Sequence, residues 1–366
     1  MRLMVVHILY SGLGGQGSDF FSVVKADKQK TVATYAIFCG VEEVNPDYIE
    51  MCGRYGVAYS AFRKEPGPDL SPYFRIYSVL QKIKPAVIVL HGSSFVFPAW
   101  LYRLTNRQVR IIVRETQAHH LKTKRDWQWL KWSIRIANKL IFLTKESLDG
   151  VVKKFPQLQV QSKSIVIASG IDTERFSPAI KKENGGTIIL GMQSRLQKIK
   201  DHPTLLKSFR LLRDKYKTRK LRLQIAGDGN TMPALRQLAY ELDIVGDVDF
   251  LGMLAETELI HFMNNLDIYI HATYGETLSN SIMQAMSCGL PIVASDVWGV
   301  NNMLDEGKTA MLVTVEDVDG MTAAISRLIE DQELSDQLGK NARYMAISKY
   351  SLGRLFEQYI QVYEGT

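Results

Sequence analysis

The chain has 366 residues, of which 46% are hydrophobic and 23% are charged, and it carries a net charge of +7. This balance is typical of a folded protein of about two domains, and it argues against a chain dominated by disorder. No uncharged apolar run reaches the ~18 residues that a membrane-spanning helix needs, so the sequence predicts none.

Cysteine content and charge distribution narrow the class of protein further. Cys39, Cys52 and Cys288 are odd in number and lack zinc-ligand spacing, which favours a reduced, cytoplasmic protein. Residues 1–176 carry a charge of +11, whereas residues 177–366 carry −4. A basic half fits either nucleic acid or anionic lipid, and a solvated charged surface is the alternative.

Short apolar runs alternate with amphipathic stretches along the first half. The first few residues resemble a short signal peptide, but the apolar run is brief and no clean cleavage site follows, so we interpret it as a buried strand. Strands are predicted at residues 5–10, 86–90, 109–113, 139–143 and 164–168, and helices at residues 72–82 and 125–137. This alternation predicts a parallel sheet covered by helices on both faces.

A linker composition at residues 172–186 precedes a second half with the same alternation. Its strands are predicted at residues 187–192, 221–226, 248–251, 268–271, 291–294 and 310–313, and its helices at residues 203–216, 233–242, 279–288 and 318–330. We therefore predict two doubly wound α/β domains, residues 1–170 and 171–351, with helix 352–366 packing back on the first. Such sheets bind ligands at the carboxyl ends of their strands.

A glycine-rich segment follows the first strand. Gly14, Gly15 and Gly17 would let backbone amides approach a phosphate or a sugar, and the N-terminus of the next helix favours negative charge. The spacing is not the G-x-G-x-x-G pattern and no Walker lysine follows, so a tight turn explains these glycines equally well.

Two cations lie in the loop after strand 187–192. Arg195 and Lys200 precede Pro203, which suits the first turn of a helix with Asp201 as its N-cap. A guanidinium and an ammonium group in one strand-end loop match the charge of a diphosphate, and two solvated surface cations are the alternative.

The segment after strand 268–271 opens another helix. Thr277 or Ser279 could cap it, and the free amides near Leu278 and Ser279 would face an anion. Glu276 just before this helix is either a carboxylate that binds a ligand or only a favourable charge near a helix N-terminus.

In order along the chain, these motifs resemble the donor half of glycosyltransferase family 4. That family has G-R-L-x-x-x-K-G, then G-x-G, V-x-F-x-G, and a glutamate ahead of A-M-A-x-G-x-P-V-V-A. The corresponding residues here are Ser194-Arg195-Leu196 with Lys200, Ala226-Gly227-Asp228-Gly229, Val248-Asp249-Phe250-Leu251-Gly252, and Glu276 ahead of residues 285–294. Weaker matches in the first half are Ser169-Gly170-Ile171-Asp172 and residues 84–92.

The resemblance implies a fold and a set of roles. The fold is GT-B, with two Rossmann-like domains facing across a cleft, and the reaction needs no metal or other cofactor. Arg195, Lys200, Leu278 and Ser279 would bind the diphosphate of a nucleotide sugar, and Glu276 would hold the hydroxyls of the transferred sugar.

The nucleotide itself would lie against other positions of the same block. Gly227, Phe250 and Leu251 fall in the family's nucleotide-binding motifs. Gln284 replaces a second glutamate that usually holds the ribose hydroxyls, and an amide can still make those hydrogen bonds. The chain also has Ser169 in place of the family's asparagine, and Ser194 in place of the glycine before the arginine.

Acceptor-side residues are expected where strand 109–113 ends, because family members often carry Glu-His or a lone His there. In this chain Arg114 and Glu115 occupy that place, with His119 four residues further on. We predict that Glu115 or His119 contacts the sugar or the acceptor; a salt-bridged glutamate and a loop histidine are the alternative.

The next predicted helix interleaves Trp127, Trp129 and Trp132 with basic residues. Tryptophan suits the headgroup layer of a membrane and cations suit anionic lipid, whereas single-stranded nucleic acid would fit the same pattern but no RNA motif accompanies it. A core-facing tryptophan stripe is the alternative. The predicted membrane- or acceptor-facing residues are Lys124, Arg125, Trp129, Lys131 and Trp132.

These expectations describe a cytoplasmic retaining glycosyltransferase, peripheral at the inner face of the cytoplasmic membrane. It would move a sugar from a nucleotide diphosphate, with a UDP-sugar favoured, to a lipid-linked or glycan acceptor of bacterial surface polysaccharide or glycolipid synthesis. No nucleic-acid partner is expected. The alternatives are a GT-B nucleotide-sugar epimerase and a non-catalytic GT-B scaffold, the latter motivated by Gln284.

Overall fold

The computed structural model describes residues 2–12, 14–67, 69–117, 122–179 and 185–365. The chain divides into two compact units, Met1–Gly170 with Leu352–Thr366 and Ile171–Ser351. Each unit has its own parallel sheet and its own hydrophobic core. The predicted class, two Rossmann-like α/β units, is confirmed.

The first unit is built on a seven-stranded sheet with the order β3-β2-β1-β4-β5-β6-β7. Its strands are β1 (Leu3–Leu9), β2 (Val32–Gly40), β3 (Ala58–Arg63), β4 (Val87–His91), β5 (Arg110–Glu115), β6 (Lys139–Phe142) and β7 (Ser164–Val166). Its first seven helices are α1 (Gly15–Ala26), α2 (Pro46–Tyr55), α3 (Ser71–Ile83), α4 (Val96–Thr105), α5 (Lys124–Ile136), α6 (Lys145–Lys154) and α7 (Val160–Lys163).

Two strands of this sheet, β2 and β3, are absent from the sequence-based prediction. A strand that is covered on both faces gives a continuous apolar run, as the fully buried β4 does. β3 is an edge strand whose residues are half-buried or exposed, so it lacks this pattern. β2 does have a buried apolar run, from Ala36 to Cys39, and the prediction missed it.

The second unit is built on a six-stranded sheet with the order β10-β9-β8-β11-β12-β13. Its strands are β8 (Ile188–Gln193), β9 (Leu221–Ala226), β10 (Val248–Gly252), β11 (Ile268–His271), β12 (Ile292–Ser295) and β13 (Met311–Val313). Its helices are α8 (His202–Lys215), α9 (Met232–Glu241), α10 (Glu256–Asn265), α11 (Asn280–Ser287), α12 (Val318–Glu330) and α13 (Gln332–Tyr350).

The order of strands reverses once in each sheet. In the first unit the chain runs outward from β1 to β3 and then returns to place β4 beside β1; in the second it returns to place β11 beside β8. All these pairings are parallel. At such a reversal the loops that follow the two central strands diverge and leave a crevice at their carboxyl ends.

The last helix, α14 (Leu352–Glu364), belongs to the first unit. Its apolar face, which includes Leu355, Tyr359 and Val362, packs with residues of β1, β4 and β5 in one buried cluster. The chain thus leaves the first unit, forms the whole of the second and returns to complete the first.

A buried charge joins α14 to the sheet of the first unit. Arg114 at the end of β5 is fully buried; its Nη2 lies 3.0 Å from Oδ2 of Asp19 on α1, and its Nη1 donates to the Tyr359 hydroxyl at 2.5 Å. Ser169, just before the second unit, contacts the same pair through hydrogen bonds to Asp19 and from Arg114. Burial opposes the charge of Arg114, but Asp19 and Tyr359 beside it raise its pKa above the ordinary value.

No helix in the described ranges is both long enough and apolar enough to cross a membrane. The three cysteines are unpaired and buried.

We expect Asp19→Ala to lower the free energy of unfolding by about 3–5 kcal/mol, because it leaves the Arg114 charge buried without its anion. The control is Glu50→Ala, which removes an exposed partner of Arg54 and should cost at most about 1 kcal/mol. Urea denaturation of the two variants and the wild type measures both losses. Equal small losses would mean that Arg114 does not depend on Asp19.

Candidate functional site

The crevice of the second sheet lies at the carboxyl ends of β8 and β11. The loop after β8 carries Arg195 and Lys200, and the loop after β11 carries Glu276. The two loops are joined by backbone contacts: the amide of Asp201 donates to the Ala272 carbonyl at 3.1 Å, and Lys200 forms an isolated bridge with Thr273. The topology therefore brings the two sequence signals of this half to one place.

Glycines allow the loop after β8 to lie close to its neighbour. A Cβ at Gly227 would come within 1.9 Å of the Ser194 carbonyl oxygen, and one at Gly229 within 2.2 Å of the Leu196 carbonyl oxygen. Gly227 also has φ +128, which side-chain-bearing residues rarely adopt. Close packing against the loop that carries Arg195 therefore explains why a glycine is needed at position 227, independently of any ligand.

Lys200, Glu276 and His271 form a cluster in the crevice. The Lys200 ammonium contacts Oε1 of Glu276, and Nε2 of His271 lies 2.9 Å from the same oxygen. The ammonium also lies 3.4 Å from this ring nitrogen. The side chains of Lys200 and Glu276 are 12% and 16% exposed, so both charges are mostly shielded from water but remain reachable.

The electrostatics of the cluster keep Glu276 ionised. Burial alone would raise the pKa of Glu276, but the hydrogen bond from His271 and the charge of Lys200 outweigh it and lower that pKa to about 2. Burial lowers the pKa of His271 below its ordinary value. The cluster therefore contains an ionised Glu276 carboxylate and a neutral His271 imidazole at neutral pH.

Helix α11 begins beside this cluster. Ser279, one of the two predicted candidates, is its N-cap, and its hydroxyl accepts from the Ile282 amide at 3.4 Å. The Ser279 amide itself donates to the sulfur of Met303 at 3.2 Å, and sulfur is a weak acceptor. The helix end is thus ordered by its own side chain, with one amide held only by a weak bond.

Two glutamine oxygens near the crevice lack a hydrogen-bond partner within the described residues. They are Oε1 of Gln284 on α11 and Oε1 of Gln193 at the end of β8, and both are buried. Because a buried polar atom without a partner is costly, such oxygens are suited to a ligand that supplies the missing donor.

The other predicted donor-side residues are more scattered. Arg195 is exposed and makes no ion pair with any residue in the described ranges, so the structure does not bring it into the Lys200–Glu276 cluster. The guanidinium carbon of Arg236 lies over the Phe250 ring, 4.9 Å from the ring centroid. Leu251 is partly exposed at the end of β10.

In the first unit the glycine segment leads directly into α1. The Gly14 amide donates to the Tyr48 hydroxyl at 3.0 Å, and a Cβ at Gly17 would meet the Tyr48 ring at 2.0 Å. Gly15 has open space around it. Close packing against Tyr48 therefore accounts for Gly17, while Gly14 and Gly15 border an open helix N-terminus.

Glu115 is almost completely buried at the end of β5. Its carboxylate pairs with Lys122 at 2.7 Å and accepts from the Ser93 hydroxyl at 3.2 Å and the Gln117 amide at 2.9 Å. It therefore has the features of the salt-bridged alternative, and a catalytic role stays a prediction. His119 lies outside the described residues.

The tryptophan-rich segment is helix α5, whose cap is a Thr123–Asp126 capping box. Its tryptophans are half-buried and pack against the first unit's core. Trp132 lies 5.5 Å from Trp129 and 5.7 Å from Trp100 of α4, measured between ring centroids. The row of rings continues through Phe97 to Phe74 of α3, which is half exposed.

The tryptophans contribute to the core, as the alternative held. Lys124 and Arg125 on the same helix are exposed, and a membrane-facing role of this helix stays a prediction. Lys131 is half-buried on the same helix.

Sequence reasoning missed His271 and Tyr269. The Tyr269 hydroxyl lies 3.3 Å from Nδ1 of His271 and 3.2 Å from the Gln193 carbonyl oxygen. Both residues were included only as members of a buried strand. A histidine as the last residue of a strand that precedes a candidate site was the available signal.

Among the residues that the structure describes, no group of three or more His, Cys, Asp or Glu side chains is arranged to hold a metal ion.

Solved structures resemble the whole chain. HepE of Anabaena in complex with UDP and glucose matches it with a TM-score of 0.79 and 16% identity over all of both chains. A glycosyltransferase of Rickettsia africae matches with a TM-score of 0.85 and 13% identity, covering 100% of this chain and 98% of the other. The chain has the GT-B fold.

In sequence, the second unit is similar to glycosyltransferases. Residues 173–345 match the family model described as glycosyl transferases group 1. D-inositol 3-phosphate glycosyltransferase of Corynebacterium jeikeium is 29% identical over 214 residues, 54% of this chain and 51% of that protein. The lipopolysaccharide core biosynthesis glycosyltransferase LpsE of Rhizobium meliloti is 25% identical over 140 residues, 38% of this chain and 41% of that protein. The chain spans about half the length of the curated relatives it matches.

We expect Glu276→Gln to lower the free energy of unfolding of this GT-B protein by about 1–3 kcal/mol at pH 7. This difference between the variant and the wild type, the stability gap, should narrow in acid. The pKa of Glu276 is lowered from 4.5 to about 2 by folding, so its stabilising charge is fully present above pH ~5 and is lost as the pH falls toward 2. Urea denaturation of both proteins at pH 7, 5 and 3.5 measures the gap. A gap that does not change with pH would contradict the ionised state of Glu276.

Proposed function

We propose that this chain is a retaining glycosyltransferase that moves a sugar from a nucleotide diphosphate to a lipid-linked or glycan acceptor of bacterial surface polysaccharide or glycolipid synthesis. One observation carries the proposal. A reachable cation and a reachable carboxylate, Lys200 and Glu276, meet at the strand reversal of the unit that matches the group 1 family model. A nucleotide-sugar donor needs a cation for its anionic diphosphate and a hydrogen-bond acceptor for the hydroxyls of its sugar.

The proposed chemistry is electrostatic. Departure of a nucleoside diphosphate places growing negative charge on the phosphate oxygens, and preorganised positive groups lower the energy of that state. Lys200 would supply one charge, and Arg195, exposed on the same loop, would supply a second on ligand binding. The amides at the start of α11, near Leu278 and Ser279, would add a partial positive charge.

The rest of the donor would be held by hydrogen bonds. Glu276 would accept from the hydroxyls of the transferred sugar, and the unpartnered oxygen of Gln284 would accept from a ribose hydroxyl. Gly227, Phe250 and Leu251 would border the base. No metal or other cofactor is part of this proposal.

Solved structures that resemble this chain support UDP as the nucleotide. HepE of Anabaena was solved with UDP and with UDP-glucose, and TarM of S. aureus and GtfA, a pneumococcal transferase, were solved with UDP. Retention of configuration rests on the resemblance to family 4, and the acceptor class on relatives such as LpsE.

The first unit would provide the acceptor side, with Glu115, His119 and the amide of Gly15 as the proposed contacts. Its basic α5, with exposed Lys124 and Arg125 beside the aromatic row, would dock on anionic lipid at the inner face of the cytoplasmic membrane. That would bring a lipid-linked acceptor to the enzyme.

We expect Lys200→Ala to weaken UDP binding by about 10- to 100-fold, the effect of losing a charge-assisted contact of about 1.5–3 kcal/mol. Arg195→Ala should act in the same direction, and Lys198→Ala, which removes an exposed cation of the same loop, is the matched control. Isothermal titration with UDP, GDP and ADP gives affinities, and release of free nucleoside diphosphate from a panel of nucleotide sugars with and without acceptors gives turnover.

The same assays separate the alternatives. A scaffold would bind the donor without releasing nucleoside diphosphate, and an epimerase would convert the donor sugar without an acceptor. If Lys200→Ala and Arg195→Ala both bind and turn over like the wild type, the donor site has been placed wrongly.

We expect the wild type to float with vesicles containing anionic lipid at low salt, and to detach as salt rises, because each surface cation contributes about 1 kcal/mol and is screened. A Lys124/Arg125/Lys131→Glu variant should stay unbound. The control is Lys207/Lys217/Lys220→Glu, which makes the same change of charge on the second unit and should float like the wild type. If the folded wild type does not float, the membrane proposal fails and a soluble acceptor becomes the better explanation.

A further inference from the structure

The Glu276 carboxylate has two donors of different kinds on one oxygen. The Lys200 ammonium sits at the end of a flexible four-carbon chain and is still reachable, with its side chain 12% exposed. The His271 ring is fully buried at the end of β11, and its Nε2 is 2.9 Å from Glu276 Oε1. One donor can therefore move, whereas the other is fixed by the sheet.

The mobile donor is the one that the proposed function requires elsewhere, and the inference rests on that function. If Lys200 turns from Glu276 to a diphosphate, the carboxylate loses its counter-charge while its side chain is only 16% exposed. A shielded carboxylate without a donor is strongly unfavourable. Lys200 can leave at low cost only if another donor stays on the same oxygen.

His271 is arranged to be that donor. Burial lowers its pKa, so the ring is neutral and carries one N–H. Its Nε2 faces a carboxylate oxygen, which can only accept, so the ring proton lies on Nε2 and Nδ1 is an acceptor. The Tyr269 hydroxyl, 3.3 Å from Nδ1, can supply a donor to that nitrogen when its single proton is not given to the Gln193 carbonyl. The charged groups that face the ring are Lys200 and Glu276 themselves.

We propose that His271 is a positioning residue that keeps the Glu276 carboxylate in place while Lys200 moves from Glu276 to the diphosphate of the donor. Because the ring is neutral, it donates a hydrogen bond to the carboxylate without adding a second positive charge beside Lys200. Tyr269 supports this role when its single hydroxyl proton is given to Nδ1, because that keeps the ring proton on Nε2; the Gln193 carbonyl competes for the same proton.

A thermodynamic cycle with UDP as the probe tests the proposal without any turnover. We expect His271→Leu to weaken UDP binding by about tenfold in the wild-type background, because Lys200 can no longer leave Glu276. In the Glu276→Gln background the same substitution should change the affinity by less than about twofold, because no charge is left without a partner. His271→Gln, which keeps a neutral N–H donor, should recover most of the affinity.

The outcomes are distinct. A merely structural role of His271 would give the same loss in both backgrounds, and that result overturns the proposal, as does wild-type UDP affinity in His271→Leu. Thermal melting checks that each variant is folded. If His271→Leu does not fold, Tyr269→Phe replaces it: a loss of about two- to threefold that disappears in the Glu276→Gln background supports the proposal, and no loss overturns it. A wild type that binds none of UDP, GDP and ADP overturns the proposed function itself.

Discussion

Parallel pairing of β8 with β11 is the constraint on which the candidate site depends. Because both strands end at the same edge of the sheet, the loops that follow them must begin side by side, although Lys200 and Glu276 are far apart in sequence. Because the strand order reverses at this pair, the connections that follow the two strands diverge and leave a crevice between them. The bridge between Lys200 and Thr273 then fixes how the two loops run relative to each other.

Two buried ionic groups in this protein are satisfied in different ways. Arg114 of the first unit is completely enclosed, and its partners Asp19, Ser169 and Tyr359 come from three separate segments. Glu276 of the second unit is incompletely enclosed, and one of its two donors is a flexible lysine. The first arrangement suits a group that never changes partner, whereas the second suits a group whose partner can be exchanged.

Much of the fold and part of the site could be predicted from the sequence. All six strands of the second sheet were found within a residue or two: β11 and β12 are buried apolar runs, and β9 alternates apolar with polar residues. Edge strand β3, whose residues are half-buried or exposed, was not found. Lys200 and Glu276 were singled out because they lie in loops at the carboxyl ends of predicted strands and match motifs of family 4.

The remainder depended on tertiary structure. Within a strand, His271 has the same pattern as any core residue, and only its neighbours Glu276 and Tyr269 reveal its orientation. The spacing of Arg195 and Lys200 suggested a matched pair, but a loop does not fix side-chain direction, and only Lys200 enters the cluster. Likewise, the tryptophans of α5 could not be divided between core and surface until α3 and α4 were seen beside them.

The return of α14 to the first unit has a consequence for how the chain is made. The core of the first unit includes contacts such as that between His7 and Tyr363, whose rings lie 6.2 Å apart although 356 positions separate them in the sequence. The second unit is continuous from Ile171 to Ser351. During synthesis the second unit can therefore fold before the first unit is complete, and Arg114 and His7 stay uncovered until α14 has been made.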